Sequence, residues 1–507
     1  MIWQNIFARI NDSSTDPSST TSIAQPSPTN AHSATELHGP KRAMGFMDLV
    51  LFYVVTGISL RWIATAASAG PSAVIVWVGA WLLFYSPLAF SVVELSSRYP
   101  QQGGLYIWSK QAFGEFPAFI CAWIYWTSNL PYFPTVLYFA ASNLLYMSSH
   151  RWDYLANNAT FYIASSSFTL IVITAMNVMG LDVGKWLHNV GAFAMWVPVA
   201  LIIAMGAIAL HRFGSATAFT GAKMLPSVHL KDMIFWSSLL FAFGGCETAS
   251  FMGEEIRNAR RNIPLALFTA GVTVTIAYVL GTIAVLWALP KTQVSDLQGL
   301  MQALTATANR IGFFWIVPIA AGLIAISNLG AAGAYLASVA RLPFVAGIDR
   351  FLPPVFGKLH TKWRTPYVAL IVQGACGVLF VFLGQAGTSV KGAYDVLVSL
   401  GIITYFLPYL FLFAAMFRLQ CEAAGPQVIR VPGGKSVARL LAIAGFLTSL
   451  LAVALSFFPA PGDSNPTLAV VKIVGGTVVL IAIGTLLYWL GKKRAVQSGK
   501  PRSTSLR

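Results

Sequence analysis

The chain has 507 residues, of which 56% are hydrophobic and 10% charged, where a soluble globular chain carries about 25% charged residues. That composition excludes an ordinary soluble fold and points to lipid as the solvent. The formal charge of +16 raises nucleic acid as a partner, a reading that the placement of the basic residues removes.

In chain order, residues 1–42 open the protein with a stretch rich in Ser, Thr and Pro from Asn11 to Thr35, which predicts a disordered cytoplasmic tail. No apolar core follows an early basic patch there, so the stretch is not read as a secretory signal. A bilayer core of roughly 30 Å needs about 20 apolar helical residues, and such runs then recur. Twelve are predicted, at 46–68, 73–96, 117–147, 161–180, 189–210, 233–253, 264–289, 312–340, 366–384, 393–416, 438–458 and 467–490. Residues 43–491 are therefore expected to form one all-α, polytopic domain, followed by a basic cytoplasmic tail over 492–507. Cys121, Cys246, Cys376 and Cys421 show no paired spacing, so no disulfide framework, metal site or cofactor is expected.

Two of these runs are interrupted near their middle. Span 1 carries Thr56-Gly57-Ile58-Ser59 and then Arg61, and span 6 carries Phe243-Gly244-Gly245-Cys246-Glu247-Thr248. Counting five spans from each break gives two units, about 44–210 and 232–416, plus two extra helices at about 437–491. Five is odd, so the second unit starts from the opposite side and is inverted. Matching broken helices in two inverted halves point to a midplane binding site in a secondary transporter, because unwound backbone is tolerated at that depth only where it lines a cavity. Glu247 beside the second break is read as a coupling group, since an ionisable residue there is costly and marks a pathway. Arg61 lies roughly 22 Å along span 1 at about 1.5 Å per residue. Three partners are open to it: the outer headgroups, Glu247, or a carboxylate on the substrate. The favoured reading pairs it with Glu247 when the site is empty and with the substrate when loaded.

With both termini inside, 24 of the 33 Lys and Arg are assigned to the cytoplasmic side and eight to the other, which leaves Arg61, inside span 1. That bias is the positive-inside rule. It places the chain as a multi-pass protein of the cell membrane with cytoplasmic termini and assigns the basic balance to orientation, with no nucleic acid involved.

Glu94-Leu95 through Pro100, Gly103-Gly104, Tyr106 and Trp108, then Phe113-Gly114, follow span 2. Glu254-Glu255 with Asn258, then Ile263-Pro264, follow span 6, and Arg341-Leu342-Pro343 through Pro353 with Thr365-Pro366 follow span 8. In order and spacing these stretches resemble the amino acid-polyamine-organocation superfamily of amino acid permeases over about residues 44–490. The resemblance implies a leucine-transporter-type five-plus-five inverted repeat with two extra helices. It also implies a secondary transporter, permease or antiporter, of an amino acid or related amine. It further implies that Thr56, Gly57, Ile58 and Ser59 hold the substrate together with Phe243, Gly244 and Gly245. Phe241 stands where arginine/agmatine-type antiporters carry an aromatic gate, and Glu247 matches their span 6 glutamate. The coupling ion, H⁺ or Na⁺, or an exchanged solute, is left open. Two departures are visible: Leu60-Arg61-Trp62 replaces the family's small triplet, and Met195 occupies the register of a span 5 lysine found in some proton-coupled relatives.

The rival readings are a membrane-embedded enzyme and a nutrient sensor on a transporter fold. Gly57-Ile58-Ser59-Leu60 lacks the second glycine of a rhomboid serine site, and Tyr394-Asp395 has no G-x-G-D beside it. There is no H-E-x-x-H, and Gly433-Gly434-Lys435-Ser436 has Ile429 where a phosphate loop needs glycine. A non-enzymatic carrier is the expectation.

Overall fold

The computed structural model describes residues 43–148, 151–294, 298–349, 351–385, 390–455, 457 and 466–497. The tail readings for 1–42 and most of 492–507 lie outside them. Described residues are helical throughout, apart from turns and one isolated bridge between Met44 and Ile256.

Span 1 is two helices, α1 (Phe46–Gly57) and α2 (Leu60–Ala69), separated by extended backbone at Ile58 and Ser59. Span 2 is α3 (Ala73–Arg98). Its Trp81–Tyr85 stretch is a π-turn, because Pro87 has no N–H for the Leu83 carbonyl. That carbonyl instead accepts the Thr448 hydroxyl at 3.1 Å. Next come α4 (Leu105–Phe113), α5 (Glu115–Ser128), α6 (Tyr132–Leu144), α7 (Ala159–Val178) and α8 (Leu181–Phe213). The second half comprises α9 (Leu230–Leu240), α10 (Ala259–Ala288), α11 (Gly299–Ile311), α12 (Ile316–Val339), α13 (Arg341–Ile348), α14 (Tyr367–Gln385) and α15 (Val390–Leu419). The extra helices are α16 (Gly434–Leu455) and α17 (Pro466–Gln497).

Nine of the twelve predicted spans contain a stretch long and apolar enough to cross a membrane among the described residues. The other three differ in form. The run at 117–147 is two helices, α5 and α6, because Pro131 cannot continue the first. The run at 233–253 is α-helical only as far as Leu240. The run at 393–416 lies within α15.

Leu82, Leu83, Phe168, Phe193, Ile276, Leu379 and Leu486 are all exposed, and lipid covers such a belt where water would not. Inside, small residues let backbones touch: a Cβ added at Gly191 of α8 would sit 2.6 Å from the Gly330 Cα of α12. Without a hydrophobic force between helices in lipid, this close packing is what joins them.

On the face where α1 begins, buried charge ties the elements together. Arg341 Nε and Nη2 each donate to a Glu255 carboxylate oxygen at 2.8 Å, and Gln102 Nε2 donates to Oε1 at 3.2 Å. The Glu255 carbonyl accepts the N–H groups of Ala43 and Met44, so one residue pins the entry to α1, the end of span 6 and the start of α13. Removing one member of a buried pair leaves an uncompensated charge, a cost of about 3–5 kcal/mol. Arg341→Met is therefore expected to lower the thermal midpoint of the purified protein, and Arg341→Met with Glu255→Leu to recover part of the loss. A double variant less stable than either single one contradicts this account of the pair.

Candidate functional site

The two breaks face each other, and a tyrosine joins them. Tyr278 of α10 accepts the Ser59 N–H at 3.0 Å, and its hydroxyl lies 2.8 Å from the Gly57 carbonyl and 3.1 Å from that of Ala242. Its ring stacks on Trp77 with centroids 4.6 Å apart, which fixes the hydroxyl in place. Tyr335 of α12 donates to the Thr56 carbonyl at 3.2 Å. Thr56 spends its own hydroxyl on the Phe52 carbonyl at 2.8 Å. The orphan backbone groups that unwinding creates are thus partly satisfied by phenols from neighbouring spans. The Tyr278→Phe variant is expected to fold yet lose transport by about tenfold or more, since removing one buried partner leaves two backbone groups short at roughly 1–3 kcal/mol each. Flux equal to wild type at equal abundance would show the bridge to be dispensable.

Span 6 unwinds further than the sequence predicts. After α9 a 3₁₀ turn covers Phe241–Phe243, Gly244 is extended, Gly245 has φ +100°, and 3₁₀ helix resumes over Thr248–Glu255. At Gly245 the positive φ and close contact coincide: a Cβ would meet the Tyr335 hydroxyl at 2.4 Å. Only glycine fits there.

Glu247 is fully buried. Its Oε1 accepts hydroxyls from Tyr405 at 3.2 Å and Tyr409 at 3.0 Å, both on α15, and a short hydrogen bond from Tyr125 of α5. Among the described residues its Oε2 has no hydrogen-bond partner. Tyr409 also accepts the Gly245 N–H at 3.3 Å. Three spans thus meet at one carboxyl group.

Arg61 is 5% exposed, and among the described residues its Nε and Nη1 have no hydrogen-bond partner. Its guanidinium sits over the Trp62 ring, 4.7 Å from the centroid. A cavity of about 20 Å³ adjoins it, lined among others by Ser128, Asn129, Tyr132, Phe241 and Tyr405, large enough for one or two waters. The expected pairing of Arg61 with Glu247 is not found: among the described residues no ion pair joins them, and the carboxylate is held by the tyrosines. Phe241 does stand at this cavity, packed between Trp62 and Tyr405 with centroids 5.8 and 4.6 Å away. Phe243 points elsewhere, into Trp77, Tyr85 and Tyr278. Ile58 is buried, whereas Gly57 and Ser59 are partly exposed. Among the described residues no group of three or more His, Cys, Asp and Glu side chains is placed to hold a metal ion.

A family model described as amino acid permease matches residues 44–481. The chain belongs to the amino acid permease family. An uncharacterized transporter of Legionella pneumophila is 28% identical over 464 residues, covering 90% of this chain and 97% of that protein. A probable agmatine/putrescine antiporter, AguD, of Lactococcus lactis is 22% identical over 87% of this chain and 93% of its own length. A glutamate/serine transporter, AimA, of Bacillus subtilis is 24% identical over 68% and 66%. Among solved structures, MhsT in complex with L-phenylalanine superposes with a TM-score of 0.60 at 15% identity, covering 83% of this chain and 99% of that one. The permease therefore has the leucine-transporter-type fold and is a multi-pass secondary transporter of small molecules, in a family of carriers and not of enzymes. Sequence reasoning missed Tyr125, Tyr278, Tyr335, Tyr405 and Tyr409. The available signal was tyrosine in mid-span, away from the interfacial belts where it is ordinary, and the four-residue spacing of Tyr405 and Tyr409 that puts both on one helix face.

Proposed function

We propose that this permease carries a carboxylate-bearing amino acid across the cell membrane by alternating access, with both termini cytoplasmic. Its substrate site is built from Thr56, Gly57, Ile58, Ser59, Arg61, Phe241, Gly244 and Gly245, with Phe243 as a support behind it. The two repeats run over about 44–210 and 232–416, with the extra helices at about 437–491. The observation that carries this reading is Arg61: a buried guanidinium with two nitrogens unpartnered among the described residues, beside a small cavity. A charge so placed costs several kcal/mol until an anion arrives, and a carboxylate matches its fork. The start of α2 adds backbone N–H groups and the positive end of a helix dipole on the same side.

Glu247 serves as the coupling group. An ionised carboxylate only accepts hydrogen bonds, whereas a protonated one must donate one, so a change of protonation reorders the three tyrosines that tie span 6 to spans 3 and 10. The likeness to an agmatine/putrescine antiporter favours a cationic amine as second reading, but an unpaired Arg61 repels such a substrate. Reconstituted counter-exchange over a panel of amino acids, amines and dicarboxylates, with and without pH and Na⁺ gradients, tests the proposal. Saturable exchange of an amino acid driven by a pH gradient is expected. Exchange of amines alone, or drive by Na⁺ alone, contradicts it.

A further inference from the structure

Away from the substrate site, α8 turns a polar stripe toward α1. Lys185, His188 and Asn189 lie at spacings of three and four, so they share one face. Lys185 Nζ is 3.6 Å from Asp48 Oδ2 and donates to the Ala43 carbonyl at 3.2 Å, and Asn189 Nδ2 donates to Asp48 Oδ1 at 2.9 Å. One turn along, Phe52 of α1 closes edge-on over the His188 ring with centroids 5.6 Å apart. From α12, the Gly333 backbone lies directly beside the ring. His188 is 1% exposed, and among the described residues neither ring nitrogen has a partner in good hydrogen-bond geometry. Nearly all buried polar groups in proteins are hydrogen-bonded, so an imidazole with both nitrogens orphaned needs a reason.

The groups around it supply one. From α1 comes Asp48, already engaged by Lys185 and Asn189. From the start of α13 comes Arg341, within electrostatic reach and already bound by Glu255. From the end of α7 comes Asn177, whose Oδ1 lies at the notch left by Gly184, as does His188 Nε2. While α1 is packed down, an imidazolium here is buried beside two cationic neighbours whose carboxylates are occupied. When α1 separates from α8, as alternating access on this face requires, the same ring meets water through the gap that Phe52 vacates.

We propose that His188 is a second proton-binding site, distinct from Glu247, that fills when α1 moves away from α8 and α12 and empties when it packs back. A proton that binds one arrangement better than another must favour that arrangement. Acid on this face therefore opens the packing that Asp48, Lys185, Arg341 and Glu255 hold shut. The inference does not depend on which solute the permease carries.

Hydrogen exchange of the α1 amides in the purified protein tests it without any transport measurement, with intrinsic exchange rates corrected against unfolded peptide. Between about pH 7.5 and pH 5.5, across which histidine titrates, α1 protection is expected to fall about threefold or more in wild type. The fall is expected to vanish in His188→Gln and His188→Asn, two neutral replacements that guard against one failing to fold, and to persist in Glu247→Gln. A fall that survives in either folded His188 variant, or that wild type lacks, overturns the proposal. Loss of the fall in Glu247→Gln alone also overturns it and assigns the proton to the other site.

Discussion

Proteoliposomes carrying Glu247→Gln are expected to exchange substrate but to stop concentrating it on a pH gradient. One pH unit is worth about 1.4 kcal/mol per proton, or tenfold in accumulation, so wild type should reach about tenfold where the variant stays near unity. Glutamine keeps the size of the side chain and an oxygen for Tyr125, Tyr405 and Tyr409, which converge on Oε1. It cannot release a proton. On the proposed coupling role, the exchanged proton is expected to arrive and leave at Oε2, which has no partner among the described residues. Concentrative uptake at the wild-type ratio in Glu247→Gln would remove the carboxyl from the coupling step.

The second large effect is expected at Arg61. In Arg61→Ala the apparent affinity for the transported amino acid should fall by roughly thirtyfold or more, since losing a buried, hydrogen-bonded charge partner costs about 2 kcal/mol or more. Arg61→Lys should lose a large share of this, because a point ammonium cannot reproduce the two-pronged fork. Stability should move the other way. Nε and Nη1 have no protein partner, so the native fold bears their desolvation with little return, and Arg61→Ala should unfold at the same temperature as wild type or a few degrees higher. A functional residue held at a cost to stability shows that pattern. Binding unchanged in Arg61→Ala, measured on the purified protein, would take Arg61 out of the site.

How much of this was legible in the sequence depended on whether a feature was local. The break at Ile58 and Ser59 could be read from the Gly-Ile-Ser run, and the one in span 6 from Gly244-Gly245 with Glu247, because helix-weakening residues act where they stand. The division of 117–147 was hidden, since Pro131 and Pro134 sit in an unbroken apolar stretch and proline is tolerated in membrane helices. The Glu247 cluster was hidden for a different reason. Tyr125, Tyr405 and Tyr409 come from spans nearly 300 residues apart in the chain, and only packing brings them to one oxygen. That same packing holds the carboxylate by Oε1, and among the described residues no ion pair joins it to Arg61. Phe241 and Phe243 show the limit of reading by position, since the 3₁₀ turn between them sends one ring to the Arg61 cavity and the other behind it.

Whether Arg61 holds the carboxylate of the substrate is decided by equilibrium binding of the best transported amino acid and its decarboxylated amine to purified wild type and Arg61→Ala. If it does, the preference for the acid over the amine should be at least about thirtyfold in wild type, the worth of one buried charged contact, and should collapse toward unity in Arg61→Ala. A preference of the same size in both proteins would contradict the account and place the carboxylate elsewhere in the site.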